Sequence, residues 1–150
     1  MNKKKFTTAD ILKNKNYTEA SVFQPINLLR ESRRQNEIPS GKVPSICVLD
    51  PDGDLVDYLN NKKKATISKY WACYHSNLYT FKIGKLTVGI IPRVVGSSYA
   101  VLIAEQLFVS GCKLLISITS AGIIKQSDSN KKFALITRAI RDEGTSYHYL

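Results

Sequence analysis

A chain of 150 residues with 43% apolar side chains holds one domain with a core of ordinary size. Its net charge of +10 invites a nucleic-acid reading, but the lysines lie in two short runs, at 3–5 and 62–64, and at scattered positions; without a recognition-helix or zinc-finger pattern, no specific nucleic-acid partner is expected. No apolar run reaches the ~18–20 residues of a membrane span, and the basic N-terminus lacks the apolar core of a secretory signal; a cytoplasmic protein without membrane attachment is expected.

Residues 1–20 are rich in Lys, Asn and Thr and are expected to form a flexible basic extension to a domain over 21–150. Pro25 suits the first turn of a helix, and Ile26, Leu28 and Leu29 supply its apolar stripe. That helix runs through Arg33 and Arg34 and stops before the loop Ile38-Pro39-Ser40-Gly41. Residues 45–49 form a short apolar run ending at Asp50, the pattern of a buried strand. After the turn Pro51-Asp52-Gly53, the spacing of Leu55, Tyr58 and Leu59 predicts a helix from Asp54 to Asn60 and Asn61, with acids at its dipole-favoured end. Asp50, Asp52 and Asp54 fail the EF-hand pattern, because no Glu stands where the loop should close; turn and cap roles are expected of them.

Residues 78–82 and 85–88, joined at Ile83-Gly84, read as a β-hairpin. The second arm continues as a β-rich run over 86–91. A loop with Gly96, Ser97 and Ser98 follows, then an apolar helical segment over 98–110, then a second strand over 114–118 that ends in Thr119-Ser120-Ala121-Gly122. This is the length of one βαβ unit. A right-handed crossover makes its strands parallel, and ligands of such sheets gather beyond the carboxyl ends of the strands. Here those ends are the 92–98 loop and the 119–122 turn. Ser97 or Ser98 is expected as N-cap of the helix, whose free amides favour an anionic or polar ligand. Residues 133–140 read as one more central strand. Cys47, Cys73 and Cys112 are widely spaced in apolar surroundings and lack metal spacing, so reduced, buried thiols are expected.

Three segments carry a resemblance. Gly96-Ser97-Ser98-Tyr99-Ala100-Val101, running on to Glu105, Gln106 and Leu107, is similar to a signature of a Gly-rich turn, a Ser, a branched apolar residue and Glu-Leu. Thr119-Ser120-Ala121-Gly122 resembles a Thr/Gly-Ser/Thr-x-Gly turn. Arg141-Asp142-Glu143-Gly144-Thr145-Ser146-Tyr147-His148-Tyr149 resembles an Arg-x-Asp-Gly-x-Ser-x-His-Phe segment. All belong to the nucleoside phosphorylase family, which includes uridine phosphorylase, bacterial-type purine nucleoside phosphorylase and the methylthioadenosine/adenosylhomocysteine nucleosidases.

The resemblance covers about 45–150 and implies an α/β fold: a three-layer mixed sheet with a parallel core, Rossmann-like. It implies a pentosyltransferase that cleaves the N-glycosidic bond of a nucleoside, with inorganic phosphate as co-substrate, no other cofactor, no metal, and a homo-oligomeric assembly. Residue by residue, Ser120 and Ser98 match phosphate- and ribose-contacting hydroxyls, and Ala121 and Gly122 match the turn that lines the base. Arg93 has no counterpart in the family pattern, but its guanidinium could supply phosphate charge. Ser117 stands where phosphorolytic members carry a phosphate-binding Arg, which keeps hydrolysis, as in the nucleosidases, open as an alternative. The family's ribose clamp and base-protonating Asp lie on strands later than this sequence, so the resemblance implies an N-terminal portion that needs a partner for the missing half, or a non-catalytic fragment. No catalytic residue is assigned.

Overall fold

The computed structural model describes residues 13, 16, 18–124 and 133–149. The expected extension therefore lies for the most part outside the described residues. The elements in chain order are α1 (Pro25–Gln35), β1 (Ile46–Asp50), α2 (Asp54–Asn61), β2 (Thr66–Ile67), β3 (Tyr79–Ile83), β4 (Leu86–Pro92), α3 (Ser97–Val109) and β5 (Leu114–Ser117), with a 3-10 turn at Ser146–His148. The strands form one mixed sheet in the order β2-β3-β4-β1-β5. β1 runs parallel to both β4 and β5, and the β3–β4 hairpin and β2 add antiparallel pairs at one side. The α/β class, the mixed sheet and its parallel core follow the sequence reading.

β1 sits at the middle of the parallel core, and its continuous apolar run reflects cover on both faces. Cys47 and Leu49 point into one cluster, with Ile91, Ile103, Leu107 and Trp71. Val48 points into the other, with Val56, Leu59, Val88 and Ile90. α3 thus packs on one face and α2 on the other, while α1 lies against α3. That is three layers, with α2 and α3 burying apolar side chains on opposite faces of the sheet.

Local chemistry explains the ends of the elements. Pro25 occupies the first turn of α1, and Arg33 and Arg34 occupy its last turn, where cations suit the dipole. Arg33 also donates to the Pro39 and Tyr70 carbonyls at 3.1 and 2.9 Å, tying α1 to two loops. The turn before α2 places Gly53 at φ 85°, a left-handed conformation that favours glycine.

Two expectations are corrected. Residues 133–140 form no strand: Phe133, Leu135 and Ile140 are 87, 91 and 95% exposed. A strand is made by the edge it pairs with, and this segment lies unpaired, so its apolar pattern alone does not order it. The N-cap of α3 is Gly96, at φ 92°, with Ser97 already the first helical residue. Gly96 adopts a positive φ that a serine tolerates poorly.

Candidate functional site

The carboxyl ends of β1, β4 and β5 converge on one rim. Its centre is the turn from Asp50 to α2. Asp50 is buried, and its two carboxylate oxygens accept from the Gly53 amide at 3.1 Å and the Val56 amide at 3.0 Å. This satisfies amides at the start of α2 that lack partners within the helix, a cap supplied from upstream. The Asp50 carbonyl accepts from the Arg93 amide at 2.7 Å, which joins the ends of β1 and β4.

Arg93 is held at φ 58°, in the left-handed region. A non-glycine residue there carries a conformational cost of roughly 1 kcal/mol, and such costs gather at functional loops. The twist lays its side chain over Gly53, where an added Cβ would lie 3.2 Å from Arg93 Cγ. Its guanidinium donates to Asp57 Oδ2 at 2.8 Å. Both side chains are more than half exposed, so this pair is weak and exchangeable.

The turn after β5 is held from the same place. The Ser120 amide donates to Asp52 Oδ2 at 2.6 Å, and the Thr119 hydroxyl donates to Asp52 Oδ1 at 3.2 Å. The Ser120 amide, with the Ser120 and Thr119 side chains adding to it, holds the Asp52 carboxyl below its ordinary range. Ala121 and Gly122 follow in an exposed stretch without regular structure, with nothing within 4 Å of a Cβ built on Gly122.

Ser98 is drawn elsewhere on the rim. Thr145 Oγ1 lies 3.0 Å from Ser97 Oγ and 2.8 Å from Ser98 Oγ. Glu143 accepts from the Thr145 amide at 2.7 Å, the Ser146 amide at 3.1 Å and the Ser146 hydroxyl. The Ser146 hydroxyl and amide, then the Thr145 amide and Ser97, pull its carboxyl down to about 2. Tyr149 donates to Glu105 at 2.9 Å further along α3. Segment 143–149 is thereby docked on the first and third turns of α3.

Arg93 and Ser120 are therefore brought to one turn, through Asp57 and Asp52, while Ser98 is engaged by the C-terminal segment. The partners that do this holding are Asp52, Asp57, Thr145 and Glu143. Sequence reasoning gave Asp52 only a turn role, because nothing local signals a contact 68 residues away. A cation, an amide and two hydroxyls around one turn can receive an anion, provided that it displaces the carboxylates holding them. No helix of the described residues is long and apolar enough to cross a membrane. No family model matches the chain, and neither a curated protein nor a solved structure matches it.

Proposed function

We propose that the rim is the nucleophile-and-ribose side of a nucleoside phosphorylase-like site, acting on the N-glycosidic bond of a nucleoside to give free base and sugar 1-phosphate. The observation that carries this reading is the gathering of Arg93, Thr119 and Ser120 about the 50–57 turn. It is joined by the order of the three motifs along the chain. The reaction needs an oxocarbenium-like sugar, a phosphate held beneath it and a base that leaves with a proton; positioning and electrostatics do most of that work.

On this reading Arg93 exchanges Asp57 for two phosphate oxygens, a fork that a guanidinium matches. The Ser120 amide and the Thr119 hydroxyl exchange Asp52 for a third. Ser120 Oγ faces the ribose, and Ala121 and Gly122 line the base. Ser98 joins them when Thr145 moves aside. The ribose clamp and the acid that protonates the base come from outside this rim, so turnover is proposed for an assembly that supplies them. Two features favour other readings. Ser117 at the end of β5 favours hydrolysis by a bound water. The hold of Asp52 and Asp57 on the rim donors favours a non-catalytic fragment.

The test is an amide-resolved titration of the full chain with inorganic phosphate and then with uridine, adenosine or inosine. Phosphate should shift the Thr119 and Ser120 amides, and the nucleoside should then shift Ala121 and Gly122. Asp52→Asn should tighten phosphate binding, because it removes a competing charge from the same donors, and Arg93→Gln should weaken it. Nucleoside binding without any phosphate response would favour hydrolysis. A flat response over 119–122 to both ligands would overturn the reading.

A further inference from the structure

The basic charge of the chain is not spread evenly. Between Asp57 and Glu105 there is no Asp or Glu, and that stretch holds six lysines and one arginine. The arginine, Arg93, is on the rim and paired with Asp57. The acids of the rim, Asp50, Asp52, Asp54 and Asp57, lie at the carboxyl ends of the parallel strands. The lysines lie toward the other end, about the β3–β4 hairpin. Thr87, near the start of β4, is five residues from Pro92 at the rim, about 17 Å along an extended strand.

Two clefts open there side by side. One, of about 440 Å³, has Lys64 and Lys82 on its walls with Phe81. The other, of about 390 Å³, has Lys42 and Lys69 with Tyr70. Thr80 and Thr87 line both and join them. None of the residues lining either cleft is acidic, and the four lysines are exposed. Lys69 Nζ stands 5.1 Å from the centroid of the Tyr70 ring.

We propose that these joined clefts bind single-stranded nucleic acid without reading its sequence. The chemistry selects the partner. Four exposed ammonium groups along two joined clefts match the repeating phosphates of one strand better than a single small anion, which would meet one pair at a time. Tyr70, with Lys69 over its ring and Gly41 against it, and Phe81, packed toward the core, give the clefts apolar walls, and the Thr87 hydroxyl can serve a phosphate or sugar oxygen along a basic groove that tracks one strand. No helix of the described residues lines these clefts to enter a duplex major groove. The binding is independent of the nucleoside reading of the rim.

The test uses the full chain and a fluorescein-labelled oligouridylate of about twelve nucleotides, followed by anisotropy. Neutralising four phosphates on a single strand predicts a slope of log K against log salt of roughly −3, hence a roughly 50-fold loss between about 50 and about 200 mM salt. The four-lysine variant (Lys42→Gln, Lys64→Gln, Lys69→Gln, Lys82→Gln) should lose binding while keeping its circular dichroism. The paired variants, Lys64→Gln with Lys82→Gln and Lys42→Gln with Lys69→Gln, should each lose part of it and flatten the slope. Three results would overturn the proposal: no binding at low salt, undiminished binding by either paired variant, or loss of binding on changing Lys3, Lys4 and Lys5 to Gln. Polyglutamate competing as well as unlabelled oligonucleotide would reduce the surface to a general cation patch, and would overturn it too.

Discussion

Asp50 ends a strand whose side chains are covered on both faces, yet it is itself 4% exposed. Its carboxylate serves two amides of the turn into α2. Removing it strands the Val56 amide, while the Gly53 amide keeps the Asp50 carbonyl at 3.1 Å, so Asp50→Ala should cost about 1–2 kcal/mol in urea unfolding with an unchanged m-value. Asp50→Asn keeps one acceptor and should cost less. Equal losses for the two variants would show that charge, not capping, is what counts. Cys47 makes a second residue-scale case. Burial first, and then the neighbouring Cys112 thiol, push Cys47 up to about 12. It therefore stays a neutral thiol throughout the physiological range, and a thiolate-directed reagent should modify Cys73 alone in the native protein and all three cysteines after unfolding. Rapid native labelling of Cys47 would contradict its burial.

At the scale of elements, Gly89 shows how tightly the β1–β4 pair is packed. It is paired with Cys47 in the sheet, and a Cβ there would lie 2.7 Å from Cys47 Sγ and 3.1 Å from Leu78 Cδ1, both fully buried. Gly89→Ala should destabilise by about 1–3 kcal/mol through overpacking. Cys47→Ala, which clears the nearest atom, should recover part of that loss in the double variant, a coupling that independent sites would not show. The docking of 143–149 on α3 should depend on pH. The native Glu143 carboxyl is held at about 2, below its ordinary 4.5. A depressed carboxylate contributes stability that is present above its unfolded value and is lost as pH falls through its folded one. Lowering pH from 6 should leave the contact intact until about 4.5, then loosen it progressively toward 2. The fluorescence or amide signals of Tyr147 and Tyr149 should follow that window, and Glu143→Gln should remove the pH dependence.

For the whole molecule, apolar side chains stay exposed along the open edge of the sheet. β5 pairs on one side only, with β1, and Leu114, Ile116 and Ile118 remain 40–50% exposed along it. Residues 133–140 add Phe133, Leu135, Ile136 and Ile140 in the open. An unpaired edge next to apolar side chains invites association. Sedimentation velocity should show concentration-dependent self-association that Ile116→Lys reduces. A monomer at every concentration tested would show that this surface is protected in solution.

The features written locally in the sequence were legible in it. Pro25 opening α1, the acids at the start of α2, the apolar run of β1 and the hairpin through Gly84 each depend on residues within one turn or one pairing of each other. The βαβ order, with Arg93 just after β4 and Ser120 just after β5, followed from those local elements. What only the tertiary structure decided were contacts between distant residues. Asp52 reaches Ser120 across 68 positions, and Thr145 reaches Ser98 across 47. Hydrogen bonds of that span leave no periodicity behind. The 133–140 segment has the pattern of a strand, but a pattern states only which face would be buried. Whether an edge stands beside it to pair with is a property of the assembled sheet, and that is why the sequence and the structure part company there.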